Sequence, residues 1–304
     1  MKISLSALGV LVLALVAAPA IAQDGGMAAI IEADARVEKL ASGMKFTEGP
    51  VWLPKQSKVV WSDIPNSVQM EWTREGGLKK FRDVEATNGN LLDLEGRMLS
   101  CQHGGRNVIR TEADGTITVL ADEFEGKKFN SPNDLAIRSD GAIFFTDPSY
   151  GLKGREAEID GKWVYQLHPD GKVEVLYKGF DMPNGIAFAP DEKRVYVADT
   201  GQVGTVRAFA VPESGAFGEP LFELPVRCDG LCVDVKGNLY LTSKGGIHLY
   251  TGDGEKIGII PTEEHPANVC FGGAEYRTLF ITARTSLYSV RVKNAGAKPK
   301  TAKW

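Results

Sequence analysis

The chain has 304 residues, of which 43% are hydrophobic and 24% charged, so it can bury a large core and is not an intrinsically disordered protein. Its formal net charge is −4, and its only basic run is a lysine-rich segment near the end of the sequence, which disfavours a nucleic-acid-binding protein. This length accommodates one large all-β domain or two ordinary domains.

Residues 1–22 have the features of a secretory signal peptide. Lys2 provides the positive start, an apolar stretch runs from Leu5 to Ala18, and Ala20-Ile21-Ala22 is a small-x-small cleavage site. The apolar stretch is too short for a typical transmembrane helix, and an uncleaved anchor is the alternative interpretation. We therefore expect a periplasmic or secreted protein that has no membrane attachment after cleavage.

The rest of the chain divides into three parts. Residues 23–36 predict a loose or weakly helical lead, residues 37–293 predict the folded domain, and residues 294–304 predict a solvated, lysine-rich tail. Export permits disulfides, but the cysteines lack zinc-finger spacing and are typical of small buried side chains, with a disulfide left open as the alternative. They are Cys101, Cys228, Cys232 and Cys270.

A short motif recurs six times, with an acidic or amide residue at the start of an apolar run. The leading residues are spaced by 39 to 51 residues, and a period in this range indicates repeated supersecondary units. The six copies are Glu48-Gly49-Pro50-Val51-Trp52, Asn88-Gly89-Asn90-Leu91-Leu92, Asn133-Asp134-Leu135-Ala136-Ile137, Asn184-Gly185-Ile186-Ala187-Phe188, Asp229-Gly230-Leu231-Cys232-Val233 and Asn268-Val269-Cys270-Phe271.

Each repeat contains short strand patterns that are separated by turn residues, often Asp-Gly. Five repeats have four such patterns, and the sixth has three, so another segment must complete it. Residues 37–46 are the natural candidate. We therefore predict an all-β fold, a six-bladed β-propeller with four-stranded blades and a ring closed by an N-terminal strand. An open pair of packed sheets is the alternative, which the sixfold recurrence disfavours.

In a propeller, the leading residue of each innermost strand points into the central tunnel at one end. Glu48 and Asp229 would bring two anionic oxygens there, and the amides would bring neutral ones. Oxygen-only ligation favours Ca²⁺, with Mg²⁺ or Mn²⁺ also compatible, while Zn²⁺ is less suited without His or Cys, although a low-coordinate oxygen site can hold it. Asn-Gly and Asp-Gly are also common turn pairs, but six copies in register favour one divalent metal site. The amides are Asn133 and Asn184, with Asn88 and Asn268 as further members.

Several of these stretches resemble the SMP-30/gluconolactonase/regucalcin-like family of six-bladed propellers, and the secreted bacterial gluconolactonases in particular. The resemblance covers about residues 40–292. It is carried by the stretches Glu48 to Trp52, Ser131-Pro132-Asn133-Asp134-Leu135, Pro183 to Phe188, Cys228 to Leu231, Asn268 to Gly273, Leu279 to Arg284, Cys101-Gln102-His103-Gly104-Gly105-Arg106 and Phe145 to Gly151. Asn268 departs from the pattern because no glycine follows it, and a purely structural role is open for this residue.

The resemblance implies hydrolysis of sugar lactones and a divalent metal held by Glu48, Asn184 and Asp229, with Asn133 near both metal and substrate. The metal would polarise the lactone carbonyl, and Asp229 is the expected general base for the attacking water. Asn88, Asn133, His103 and Arg106 are candidates for holding the substrate. Tyr150, at the base of an extra loop over residues 148–161 that could form a lid, is a further candidate. For His103, Arg106 and Tyr150 a structural role is the alternative.

The sequence contains no Gly-x-Ser-x-Gly or His-Glu-x-x-His motif, which disfavours a serine esterase and a zinc protease. The alternatives to a lactonase are a related metal-dependent hydrolase of esters or organophosphates, and a non-catalytic propeller that binds a metal or a sugar acid. The expected partner is a small-molecule lactone. The sequence gives no indication of the oligomeric state.

Overall fold

A computed structural model describes residues 21–22 and 25–304 of the chain. These residues form strands β1 to β26 and three short 3₁₀-helices, at Met27–Ala29, Pro54–Gln56 and Ile64–Asn66. Among them, no helix is long and apolar enough to cross a membrane. The predicted signal peptide lies outside the described residues except for its last two positions, so the expected export remains a prediction.

Six antiparallel sheets of four strands each follow one another along the chain, which confirms the predicted six-bladed propeller. The first three, called blades 1 to 3, are built in chain order from the innermost to the outermost strand. Blade 1 contains β2 (Thr47–Leu53), β3 (Lys58–Asp63), β4 (Val68–Thr73) and β5 (Gly77–Asp83); blade 2 contains β6 (Thr87–Leu92), β7 (Met98–Gln102), β8 (Asn107–Thr111) and β9 (Ile117–Ala121); a small hairpin of β10 (Glu123–Phe124) and β11 (Lys127–Lys128) follows; blade 3 contains β12 (Leu135–Ile137), β13 (Ile143–Asp147), β14 (Trp163–Leu167) and β15 (Val173–Tyr177).

The last three sheets, blades 4 to 6, follow the same plan, except that the outermost strand of blade 6 comes from the start of the chain. Blade 4 contains β16 (Pro183–Phe188), β17 (Arg194–Asp199), β18 (Thr205–Ala210) and β19 (Phe222–Leu224); blade 5 contains β20 (Leu231–Val233), β21 (Leu239–Ser243), β22 (Gly246–Tyr250) and β23 (Lys256–Pro261); blade 6 contains β24 (Pro266–Gly272), β25 (Thr278–Ala283), β26 (Ser286–Arg291) and β1 (Glu38–Ser42).

Strand β1 closes the ring, as predicted, by pairing antiparallel with β26. The pairing joins the two ends of the propeller segment and covers an edge that would otherwise be exposed. Glu264, just before β24, accepts hydrogen bonds from the Thr285 amide at 2.9 Å and from the Tyr288 hydroxyl at 2.9 Å. Lys39 of β1 lies 2.9 Å from Glu263. These contacts hold the closing strand to the rest of blade 6.

The hydrophobic core lies between neighbouring blades, because each sheet is apolar on both faces. One cluster joins blades 5 and 6 and also includes Met27, Ile30 and Ile31 of the N-terminal lead, which are 0 to 2% exposed. The lead is therefore packed rather than loose, and part of it forms a 3₁₀-helix. All four cysteines are free thiols, so the disulfide that the sequence left as an alternative is not formed.

An aspartate ends the second strand of blades 1, 3 and 4 and fixes the segment that enters the same blade. Asp63 accepts from the amides of Lys45 and Phe46, and Asp147 accepts from the amides of Asn130 and Ser131. Asp199 does the same for the segment that precedes β16. These bonds hold the start of each innermost strand, which is where the candidate site begins.

The C-terminal tail differs from the predicted solvated extension, because it lies across the opposite end of the tunnel. Its backbone pairs with blade 5 through Val235 and Val233, and further on it bonds to Ser139 of blade 3 and Leu94 of blade 2. The Trp304 indole donates to the Asp93 carbonyl at 2.5 Å. The apolar tunnel beneath this tail encloses about 160 Å³. Lysine content alone suggested solvation, but the lysines here have protein partners.

Candidate functional site

The starts of the six innermost strands converge at one end of the tunnel, as the sequence predicts, and backbone bonds fix their order. The carbonyls of Asn133 and Asp229 accept from the amides of Gly89 and Gly185 in the preceding blades, at 2.8 and 2.9 Å. Hydroxyls do the same: Ser62 donates to the Asn88 carbonyl at 2.8 Å and Thr146 to the Asn184 carbonyl at 2.7 Å. Asn88, Asn133, Asn184 and Asp229 are thus each held by the blade before them.

The sixth position of this ring is Ala267, which corrects the placement of Asn268. The Ala267 carbonyl accepts from the Gly230 amide at 2.7 Å and from the Thr242 hydroxyl at 2.9 Å, the same bonds that mark the leading residue of other blades. The strand pairing is irregular here as it is in blade 4, so Ala267 corresponds to Asn184 and Asn268 corresponds to Gly185. The leading residues are therefore Glu48, Asn88, Asn133, Asn184, Asp229 and Ala267.

The residue that follows each leading residue lies one level deeper in the tunnel. At this second position of the motif, four blades have glycine. A Cβ atom on Gly89 would lie 2.5 Å from the Asp134 carboxylate, and one on Gly230 would lie 2.1 Å from the Asn268 amide carbon. Blades 3 and 6, which are opposite in the ring, fill this space with Asp134 and Asn268. The Asn268 Nδ2 atom donates to Asp134 Oδ2 at 3.3 Å, so the two side chains form a floor across the tunnel.

The carboxylates of Glu48, Asp229 and Asp134 lie near one another at these two levels, and the pKa of each is raised. Burial and then the charges of Asp229 and Asp134 raise the pKa of Glu48 well above its usual range. Burial raises the pKa of Asp229 to about 7, although a hydrogen bond from Asn184 and the charge of Arg284 oppose it. Burial also raises the pKa of Asp134 to about 7. The site has more negative charge than its own protein environment stabilises.

This donor set fits a hard divalent cation. Glu48 and Asp229 provide carboxylate oxygens, Asn133 and Asn184 provide amides, and the buried Asn88 Oδ1 atom has no hydrogen-bond partner. A bound cation would offset the repulsion that raises the carboxylate pKa values. Within residues 21–22 and 25–304, no three His, Cys, Asp or Glu side chains form a metal cluster by themselves, so a cation held here would also need the amide oxygens.

A chain of hydrogen bonds connects the ring to the extra loop. Asn184 Nδ2 donates to the Thr200 hydroxyl at 3.3 Å, and the Tyr150 hydroxyl lies 2.6 Å from the same oxygen. Tyr150 is 45% exposed, and the nearby Asp229 charge contributes to raising its pKa, after burial. The structure therefore places Tyr150 beside the leading residues of the site, with its side chain partly exposed to solvent.

His103 also reaches the ring. Its Nε2 atom lies 3.2 Å from Asn88 Nδ2, and the residue is 5% exposed. Because the amide nitrogen is a donor, Nε2 is the acceptor and the proton is on Nδ1. Burial, with the charges of Lys153 and Arg155, lowers the pKa of His103 to about 4. His103 is therefore neutral at pH 7 and orients Asn88.

Arg106 does not reach the ring, which differs from its expected role in substrate binding. Its guanidinium donates to the carbonyls of Phe129, at 2.5 Å, and Lys128, at 3.2 Å, and forms an ion pair with Glu158 at 2.9 Å. Glu158 belongs to the extra loop. Arg106 thus links this loop to the segment before β12, with a bond from each of its three guanidinium nitrogens.

The extra loop packs tightly beside the site. Arg155 donates to the carbonyls of His103 and Gly104, and a Cβ atom on Gly151 would lie 2.5 Å from the His103 Cβ. The loop therefore forms a fixed wall beside His103 and Tyr150. Sequence reasoning did not assign Asp134, Thr200 or Arg284 to the site, since two lie outside the repeated motif and Asp134 stands where other copies have glycine.

Comparisons with known proteins agree on one family. Residues 46–285 match the model of the SMP-30/gluconolactonase/LRE-like region. The chain is 30% identical to a gluconolactonase from Zymomonas mobilis, with 88% of this chain and 84% of the relative covered. A gluconolactonase structure from Xanthomonas campestris has 35% identity and a TM-score of 0.83, covering 91% of this chain and 97% of that one. A regucalcin structure from Agrobacterium tumefaciens, described as a calcium-binding protein, shares the fold at 19% identity and a TM-score of 0.73, covering 89% of this chain and 98% of that one.

Proposed function

The chain belongs to the SMP-30/gluconolactonase/LRE-like family, whose gluconolactonase members support a lactone hydrolase, and from this we propose a divalent-metal-dependent hydrolase of sugar lactones. The observation that carries the metal dependence is the group of buried carboxylates with raised pKa values at the tunnel end. No cationic side chain donates a hydrogen bond to Glu48 or Asp229 among the residues that the structure describes.

Glu48, Asn184 and Asp229 would hold the metal, with Asn133 as a further ligand or a substrate contact. Ca²⁺ suits this set best, because every donor is an oxygen and two of them are charged. When bound, the ion would supply Lewis-acid polarisation of the lactone carbonyl and stabilise the negative charge that develops on its oxygen. The relative described as calcium-binding supports the choice of ion.

Asp229 is the residue we assign to general-base catalysis. It is partly exposed at the tunnel mouth, whereas Glu48 is 3% exposed and Asp134 is part of the floor. The pKa of Asp229, about 7 without a cation, would fall when the cation binds, so its assignment as the base rests on its position at the mouth. Asn88, oriented by neutral His103, and Tyr150, held by Thr200, are placed to contact the hydroxyls of a sugar lactone.

The test combines metal analysis with a pH-indicator assay on glucono-1,5-lactone. We expect the metal-loaded protein to hydrolyse the lactone and exhaustive chelation to remove the activity reversibly. Glu48→Gln and Asp229→Asn should each lower kcat/KM by at least about 100-fold, because both the ion and its charge compensation are lost. Both variants should also bind metal more weakly in calorimetric titrations.

Glu213→Gln, an exposed residue away from the ring, is the control and should retain wild-type values. Undiminished activity after chelation, or in both ring variants, would refute the proposal. Metal binding without turnover of any lactone would favour a non-catalytic binding propeller. Faster turnover of aryl esters or organophosphates in the same assay would favour the related esterase.

A further inference from the structure

Three cationic side chains stand at the mouth of the site, on turns between the second and third strands of their blades. These turns share an end with the ring, since Thr47 pairs with Asp63, Pro183 with Asp199 and Pro266 with Ala283. The side chains are Lys153 in the extra loop, Lys244 in blade 5 and Arg284 in blade 6, and all three are exposed.

These cations have no carboxylate partner. In the part of the chain that the structure describes, 18 ion pairs are formed, and none involves Lys153, Lys244 or Arg284. Their charged groups also donate no hydrogen bond to protein, and Arg284 only faces the Phe46 ring at 5.9 Å. The lysines of the tail at the other end are, by contrast, engaged with Glu95, the Asp191 carbonyl and aromatic rings.

The charges act on groups around the whole mouth. After burial, Lys153 helps to lower the pKa of His103, and Arg284 and Lys244 help to lower the pKa of His265. Arg284 also opposes the rise in the pKa of Asp229. His103, His265 and Asp229 are thus each affected by the charge of at least one of these three cations.

Two carboxylates at this end of the molecule have partners of their own. Asp181 pairs with Lys162 at 3.1 Å, and Glu264 accepts its hydrogen bonds from the β25–β26 turn and Tyr288. Under the proposed function, a divalent ion would offset the charges of Glu48 and Asp229. Lys153, Lys244 and Arg284 would then remain as cations without ion-pair partners at the mouth, although the whole chain has a net charge of −4.

Resting on the proposed lactonase activity, we propose that the preferred substrates are lactones that carry a second, anionic group, such as a carboxylate or a phosphate, remote from the lactone carbonyl. An ammonium or guanidinium at the mouth would pair with that group while the ring holds the lactone end. A positive field over a concave site also raises the association rate of an anion. A neutral sugar lactone would leave these cations unused.

The experiment compares kcat/KM for three lactones on the metal-loaded protein at low and high ionic strength. The probes are neutral glucono-1,5-lactone, its 6-phosphate, and a glucaric acid lactone that carries a free carboxylate. We expect at least one charged lactone to exceed the neutral one by about tenfold or more at low ionic strength, and this ratio to fall as salt screens the field. The better charged probe identifies the anionic group.

Lys244→Gln and Arg284→Gln should each lower the charged-to-neutral ratio about three- to tenfold, chiefly through KM for the charged lactone. The matched controls are Lys236→Gln and Arg277→Gln, exposed residues of the same blades on the opposite face, which should leave the ratio unchanged. Equal kcat/KM for charged and neutral lactones, or equal losses on both in the variants, overturns this inference and leaves the lactonase proposal standing. No turnover of any lactone overturns the proposed function itself.

Discussion

At the scale of single residues, the residue after each leading residue determines how closely the blades approach each other at the site. A Cβ atom on Gly49 would lie 2.1 Å from the Asn88 carbonyl oxygen, and Gly49 also has a positive φ of 50°. Only glycine meets both conditions, because other residues pay a steric penalty in this conformation and have no room for a side chain.

Replacing Gly49 with alanine should therefore displace both Glu48 and Asn88. We expect Gly49→Ala to lower the free energy of unfolding by about 3 kcal/mol or more, as the sum of backbone strain and overpacking. Gly77→Ala is a matched control, since Gly77 has a φ of 62° but nothing within 4 Å of its added Cβ. Gly77→Ala should lower the free energy of unfolding only by the backbone strain, about 1–2 kcal/mol. Denaturant unfolding measures both, and equal losses would contradict a steric role for Gly49.

The sequence predicted five of the six ring positions and their oxygen chemistry, because each has the same polar-then-apolar pattern. It misplaced the sixth, because in that copy alanine stands at the leading position and the polar residue, Asn268, stands at the second position, where four other copies have glycine. Asp134 was part of the motif but received no role. Its position in the floor follows only from the approach of Gly89, a tertiary contact.

At the scale of strands and loops, Glu264 connects the segment before β24 to the β25–β26 turn and to β26. Burial alone would raise the pKa of Glu264, but hydrogen bonds from Ser286, Thr285 and Tyr288 lower it to about 2. The folded state thus favours the ionised form. This stabilisation is present above the ordinary pKa of a glutamate, near 4.5, and is lost as the pH falls through about 2.

The variant Glu264→Gln should be less stable than the wild type at pH 7 and should lose less stability on acidification from pH 5 to pH 2. Thermal unfolding across this pH range measures the difference. Glu263→Gln is the control, because the neighbouring Glu263 side chain is 71% exposed and its pair with Lys39 is a surface ion pair of small value. A parallel pH dependence in wild type and Glu264→Gln would exclude this role for Glu264.

Strand periodicity and turn residues predicted the blades and the closing strand, but not what the loops do. The sequence left a lid open for the extra loop, and the structure shows the loop packed as a wall and bonded through Arg106 and Arg155. Arginine-to-carbonyl bonds have no sequence periodicity, so composition could not reveal them. The cations Lys244 and Arg284 were missed because they lie on turns between strands, outside the repeated motif.

At the scale of the whole molecule, the tail covers one end of the tunnel while the site lies at the other. Trp304 packs against Tyr276 with ring centroids 5.9 Å apart, and Lys298 lies 3.9 Å from the Tyr276 ring centre. The tail therefore stabilises the propeller from the face opposite the site.

Trp304→Ala should lower the free energy of unfolding by about 2–3 kcal/mol, because a partly buried aromatic contact and the bond to the Asp93 carbonyl are both lost. It should also increase binding of a hydrophobic dye, since the apolar tunnel opens, while kcat/KM on a neutral lactone changes less than twofold. Lys303→Ala, which removes only a surface pair with Glu95, should change neither dye binding nor stability appreciably. A large loss of activity in Trp304→Ala would show that the two ends of the tunnel are coupled.

Among the described residues, the floor of Asp134 and Asn268 separates the site from the part of the tunnel under the tail, so the site opens through its mouth. A molecule that enters the site must leave by the way it came, so incoming lactone and outgoing aldonate compete for one opening. Release of the product through that opening, rather than bond cleavage, would then limit kcat. The cations at the mouth would retain the anionic product as well as attract the substrate, so the protein should show product inhibition that weakens as ionic strength rises.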